Sequence, residues 1–163
     1  VSKKWKTRLI ASKKSDKPKL DAQQTGLLIH DILAKITHAE MLPKVLEEHF
    51  STGTYDENIK HFISNKLSEI IKHPSISKFY KENDYILCEK DILIPNGETI
   101  RPDRMNISKD GSASLIDYKS GKPKQADINQ INFYGTILEE MGYLTIKKFL
   151  VYIDHEINVE MLN

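Results

Sequence analysis

The spacing of apolar residues divides the chain into a helical first half and a second half that opens with strands. Leu28, Ile29, Ile32, Leu33 and Ile36 recur at three- to four-residue steps, the spacing of one helix face. Asp21 or Thr25 is placed to cap the start of that helix, predicted from Thr25 onward. A second helix is predicted over 41–50, with Pro43 in the first turn, where a missing N–H is tolerated. Ser51-Thr52-Gly53-Thr54 breaks it. A third spans 56–72, carries Ile59, Phe62, Ile63, Leu67, Ile70 and Ile71 as a broad stripe, and stops at His73-Pro74. From Tyr85 the period changes to two. Strands are predicted over 85–94, 99–107 and 112–118, separated by turn signals at Pro95-Asn96-Gly97 and Ser108-Lys109-Asp110-Gly111. A helix over 127–141 and a nearly all-apolar strand over 149–153, of the kind buried on both faces, complete the order. The last strand–helix–strand step predicts a right-handed crossover between parallel neighbours. The class is α/β or α+β, with a mixed central sheet of about four or five strands flanked by helices and a helical N-terminal part.

Length and composition narrow this picture. The chain has 163 residues, enough for one domain with a core of its own. Charged residues at 29% against 39% hydrophobic is the balance of a soluble globular protein. A formal net charge of +1 means that any nucleic-acid contact has to come from local clusters. One such cluster is the stretch holding Lys3, Lys4, Lys6, Arg8, Lys13, Lys14, Lys17 and Lys19 around Trp5, read as a solvated linker or a phosphate-contacting arm. No apolar run approaches the roughly 18 residues of a membrane span, and no secretory signal pattern is present. Cys88 is the single cysteine, which excludes a disulfide framework and a four-cysteine zinc or iron–sulfur site. A reducing, cytoplasmic setting is expected. The chain begins without Met and is expected to be a piece of a larger protein.

Candidate chemistry centres on Leu115-Ile116-Asp117-Tyr118-Lys119-Ser120-Gly121. Residues two apart in a strand share a face, so Asp117 and Lys119 project together. If Lys109-Asp110-Gly111 is a three-residue loop with Gly111 left-handed, Ser108 pairs with Ser112 and Asp103 falls opposite Asp117. Like charges opposite one another destabilise a sheet. A divalent cation between them removes the conflict, and oxygen-rich sites suit Mg²⁺ or Mn²⁺. The alternative is two solvated acids at a sheet edge, partnered by Arg101, Arg104 or Lys119. Gln130 and Tyr134, one helical turn apart, project together, although Tyr134 fits a core role equally. His30 lies one turn after Gly26 and could offer an imidazole to the same ion. A glycine inside a helix costs about 1 kcal/mol against alanine, so the expected reason for it is close approach of another backbone. His38, His49, His61 and His73 show no paired ligand spacing and read as surface or boundary residues. Ser120 faces away from its neighbour Lys119, which argues against a Ser/Lys dyad.

Gly26-x-x-x-His30, Arg101-Pro102-Asp103-Arg104, Asp117-Tyr118-Lys119-Ser120-Gly121 and Gln130-x-x-x-Tyr134, in this order and spacing, resemble the RecB-like nucleases of the PD-(D/E)XK superfamily. Such domains sit at the C-terminal end of bacterial helicase–nuclease subunits such as AddA. The resemblance covers about 25–153 and implies a restriction-endonuclease-like core. It further implies a nuclease domain over 25–163, with 1–24 a basic arm from a preceding helicase region. By this resemblance His30, Asp103, Asp117 and the backbone carbonyl of Tyr118 would hold one or two Mg²⁺ ions, with Mn²⁺ as a substitute. Glu89 stands where the family often has another acid. Lys119, Asp117 and Asp103 would be the catalytic residues. Gln130 and Tyr134 would position the DNA, and Lys122 and Lys124 would contact its phosphates.

The implied activity is Mg²⁺-dependent DNA hydrolysis by the exonuclease module of a helicase–nuclease in double-strand-break repair and recombination. The implied partners are a DNA single strand delivered by a helicase motor, the helicase domain of the same chain and a second subunit; no membrane is involved. Two departures stand out. No proline immediately precedes Asp117, whereas Pro102 precedes Asp103, and the cysteines that surround an iron–sulfur cluster in some relatives are missing, so no cluster is expected. The competing reading is a catalytically weak nuclease fold that binds DNA or a partner subunit. Loss of one acid or of the lysine would mark that reading, and all are present.

Overall fold

The computed structural model describes residues 20–81, 84–144 and 146–162. Helix α1 (Ala22–Leu33) starts ahead of Thr25 because Asp21 caps it. The Asp21 carboxylate accepts from the Gln24 amide at 2.7 Å, and the Gln24 side chain accepts from the Asp21 amide at 3.0 Å, a reciprocal capping box. Apart from its last few residues, the basic arm expected over 1–24 lies outside the described residues. A 3₁₀ turn leads into α2 (Leu42–Phe50), and α3 (Glu57–Lys72) is capped by Asp56 through the Ile59 amide at 2.9 Å. Among the described residues no helix is long and apolar enough to cross a membrane.

The second half builds strands β1 (Tyr85–Cys88), β2 (Ile92–Leu93), β3 (Thr99–Ile100), β4 (Arg104–Ile107) and β5 (Ala113–Ser120), helix α4 (Gln125–Glu140), and strands β6 (Ile146–Ile153) and β7 (Ile157–Leu162). Five of them form one mixed sheet in the order β1-β4-β5-β6-β7, while β2 and β3 pair as a separate hairpin. The β5–β6 pair, joined through α4, is parallel; the other pairs are antiparallel. This is the mixed α/β, restriction-endonuclease-like core that the sequence implies.

Two expected strands are broken. Glu89 adopts a left-handed φ of +50, which turns the chain out of the ladder after Cys88, so the expected strands 85–94 and 99–107 each divide in two. Strand β7 was not expected at all, although Ile157, Val159 and Met161 alternate with polar residues as a strand requires.

Alternation along β5 splits the apolar mass. Ile116 and Tyr118 join Phe149, Val151 and Ile153 in the core beneath α1, α2 and α3. Leu115 joins Leu150, Tyr152, Ile131 and Leu138 in the core beneath α4. Asp117 and Lys119 follow Leu115 at two-residue steps and so belong to the α4 face. Gly26 is explained by what it touches: a Cβ there would stand 2.8 Å from Ser120 Cβ. Helix α1 therefore crosses the end of β5 in direct contact, which carries His30 toward the tip of that strand.

Candidate active site

The hairpin between β4 and β5 closes as the spacing requires. Ser108 N–H donates to the Ser112 carbonyl at 2.9 Å, Gly111 N–H donates to Ser108 at 3.0 Å, and Gly111 has φ +83. The ladder runs from Ile107 opposite Ala113 to Arg104 opposite Ile116, so the next rung puts Asp103 across from Asp117. Asp103 has already left the strand, and its Oδ2 accepts the Tyr118 amide at 2.7 Å. His30 Nδ1 lies 3.6 Å from the same oxygen. Glu89, swung inward by its left-handed turn, donates its amide to the Asp103 carbonyl at 3.0 Å. The ligand atoms of His30, Glu89 and Asp103 lie within 4.8 Å of one another.

Asp117 is outside that trio. Its side chain is buried, and Oδ2 lies 2.6 Å from Lys119 Nζ. That contact is a charge pairing rather than an aligned hydrogen bond; among the described residues no aligned hydrogen bond reaches this oxygen. Lys119 also donates to Gln130 Oε1 at 2.7 Å, and Gln130 Nε2 donates to the Tyr134 hydroxyl at 3.0 Å. A continuous polar chain thus runs Asp117–Lys119–Gln130–Tyr134 from the sheet into α4. Lys122 and Lys124 are exposed on the turn between β5 and α4. A cleft of about 520 Å³ lies along α1 and α3, lined by Thr25, Gly26, Ile59, Phe62, Lys66 and His155, and no candidate site residue borders it.

Comparison with known proteins decides the family. The model described as the PD-(D/E)XK nuclease superfamily matches residues 3–161, nearly the whole chain. The chain belongs to the PD-(D/E)XK nuclease superfamily. Among solved structures, the crystal structure of SSO0001 is similar, at 15% identity over 97% of this chain and 74% of that one, with a TM-score of 0.37. That likeness is too loose to add to the assignment. No curated protein matches.

Superfamily members are generally nucleases that use divalent metals, and the electrostatics of the cluster fit such an ion. Burial pushes the Asp103 carboxyl up to about 8, the Asp117 charge adds to the rise, and the Tyr118 amide opposes it. Burial also lowers the His30 pKa, more than Asp117 and Glu89 raise it, which favours the neutral imidazole, the form able to ligate. For Lys119, burial alone would lower the pKa, but Asp117, Asp103 and Asp127 together outweigh it and the net shift is upward. Asp103, Asp117 and Glu89 crowd together with Lys119 as the one cation paired to them among the described residues, which leaves negative charge for a bound ion to offset. A nitrogen donor among carboxylate oxygens accommodates a hard divalent ion such as Mg²⁺ or Mn²⁺.

The two arginines that could have neutralised these acids point elsewhere. Arg101 forks onto Asp91 at 2.7 and 3.0 Å on the outside of the hairpin. Arg104 is 1% exposed and faces the opposite side of β4. It donates to the carbonyls of Ile36, Thr37 and Phe79 at 2.7, 2.6 and 2.6 Å and to Asn106 Oδ1 at 2.9 Å, and its guanidinium lies 4.2 Å over the Tyr80 ring. Of the three cations considered, Lys119 alone meets an acid of the site. The Arg104 side chain instead ties the chain just after α1 to the strand that begins beside Asp103. Strand alternation could have signalled this, since neighbours in a strand face opposite ways.

Tyr118 contributes through its backbone and ring. Its ring meets His30 edge to face at 5.9 Å, its hydroxyl pairs with that of Tyr80, and its backbone hydrogen bond to the His30 ring counts among the minor influences on the imidazole. Ser120 packs on Gly26 rather than joining Lys119.

Proposed function

We propose that this chain is a Mg²⁺-dependent deoxyribonuclease of the RecB-like group. In this reading it is the exonuclease module of a helicase–nuclease acting in double-strand-break repair and recombination. The observation that carries the reading is the meeting of two half-sites. One is the His30–Glu89–Asp103 trio with ligand atoms within 4.8 Å; the other is the Asp117–Lys119 pair at 2.6 Å on the neighbouring strand. His30, Glu89 and Asp103 would hold the ion, with Asp117 and the Tyr118 carbonyl as further donors. A divalent cation bound there would polarise the scissile phosphate and lower the pKa of water at the site.

The chain's own groups do the rest. Lys119, held between Asp117 and Gln130, keeps a fixed ammonium where negative charge grows on the phosphoryl oxygens. Asp117 keeps that ammonium charged. Gln130 and Tyr134 orient the lysine and the strand, while Lys122 and Lys124 contact backbone phosphates. No protein nucleophile is required. The substrate is a single DNA strand delivered by a helicase domain of the same chain, with a second subunit, in the cytoplasm.

The test is to incubate the protein with single- and double-stranded DNA in Mg²⁺, in Mn²⁺ and in a chelator. Cleavage that needs the cation supports the reading. Intact DNA with both metals, or cleavage that survives chelation, overturns it.

A further inference from the structure

We propose that the β2–β3 hairpin is the positioning element of the metal-binding cluster, and that its apolar seat on α4, made by Ile94, Ile100 and Ile137, fixes Glu89 and Asp103 in place. This rests on the nuclease reading of the same cluster. The chain leaves the main sheet after Cys88 and rejoins it at Arg104. The two residues at that neck are Glu89 and Asp103, two of the three clustered ligand residues. The neck is closed by the Glu89 amide donating to the Asp103 carbonyl at 3.0 Å.

Nothing within the hairpin is strong enough to hold the neck alone. Its strands are Ile92–Leu93 and Thr99–Ile100, and a lone two-stranded ribbon is marginal in water. The Arg101–Asp91 fork is half exposed on both sides, where water and salt screen it, so it does not anchor the hairpin to the rest of the molecule. Glu89 occupies a left-handed conformation that an L residue keeps only when its surroundings hold it there. What holds the hairpin is a small core of its own. Ile94, Ile100 and Ile137 are 5%, 4% and 8% exposed, with Ile92 and Tyr134 packed against them.

The same seat reaches the other half of the site. Tyr134 packs on this small core and also ends the chain of hydrogen bonds that begins at Lys119. Docking of the hairpin therefore sets the carboxylates on one side and backs the partners of the lysine on the other. Ile94, Ile100 and Ile137 touch no reacting atom; they act through Glu89 and Asp103.

Calorimetric titration with Mn²⁺ alone tests this, together with hydrogen exchange of the Glu89 amide. Ile137→Ala is expected to weaken Mn²⁺ binding by about tenfold, as loss of groups supporting metal ligands does, and to speed exchange at Glu89. Ile137→Val, which removes less volume, is expected to give a smaller loss in the same direction. Val45→Ala, a cavity in the core on the other face of the sheet, is expected to leave both readouts unchanged. Wild-type Mn²⁺ affinity in Ile137→Ala overturns the proposal, and so does an equal loss in Val45→Ala, which would mark general loosening. A wild-type protein that binds no Mn²⁺ removes the nuclease reading as well, whereas binding that is insensitive to Ile137 removes the hairpin proposal only.

Discussion

Glu89 combines two properties that pull in opposite directions. Its left-handed backbone, φ +50, costs an L residue about 1 kcal/mol relative to glycine, and its carboxylate adds charge beside Asp103. Both serve to bring a third ligand atom within 4.8 Å of His30 and Asp103. Glu89→Gly is therefore expected to raise the stability of the metal-free protein by about 1 kcal/mol in thermal or urea unfolding. The same variant is expected to lose Mn²⁺ affinity by tenfold or more in calorimetry, on the scale seen when groups around a metal are removed. Unchanged Mn²⁺ affinity would show that Glu89 is no ligand, and a fall in stability would show that its side chain, rather than its strained backbone, dominates its effect on folding.

At the scale of elements, the site depends on how closely α1 lies on the tip of β5. The spacing needed is recorded in Gly26, whose missing Cβ leaves room for Ser120. Gly26→Ala gains about 1 kcal/mol of helix propensity, but the 2.8 Å clash with Ser120 Cβ forces the helix outward. Overpacking of this kind costs about 1–3 kcal/mol, so a net loss of stability is expected, with weaker metal binding as His30 moves away. Adding Ser120→Gly removes the clashing atom, and the double variant is expected to recover the loss. A double-mutant cycle by chemical denaturation measures this directly. Additive losses would mean that the helix is positioned by something other than this contact.

For the molecule as a whole, one sheet separates two cores and carries the candidate site at the ends of its inner strands β4 and β5. Much of this could be read from the sequence. Gly111 and the flanking serines fix the β4–β5 register, and from that register alone Asp103 comes to face Asp117. The helix-interior glycine was read as a sign of close approach by another backbone, whereas what meets it is the Ser120 side chain; Gln130 and Tyr134 at one-turn spacing announced a shared face with Lys119. What was hidden depended on a single dihedral. Glutamate does not advertise a positive φ, so the turn at Glu89, the division of two strands and the hairpin between them were not legible. Nor was it legible that the turn at Glu89 would bring its carboxylate within 4.8 Å of ligand atoms of His30 and Asp103. Strand β7 was missed because its alternation falls in a short, half-polar stretch.

In the proposed nuclease chemistry the Asp117–Lys119 pair, 2.6 Å apart, works beside a divalent ion on DNA. The most direct test of this role compares wild type with Lys119→Ala in a Mg²⁺-dependent cleavage assay on single-stranded DNA, with circular dichroism on both. The expected result is a folded variant whose cleavage has fallen by at least about 10²-fold, the scale for removing one group that stabilises developing charge. A folded variant that cuts at the wild-type rate would contradict it.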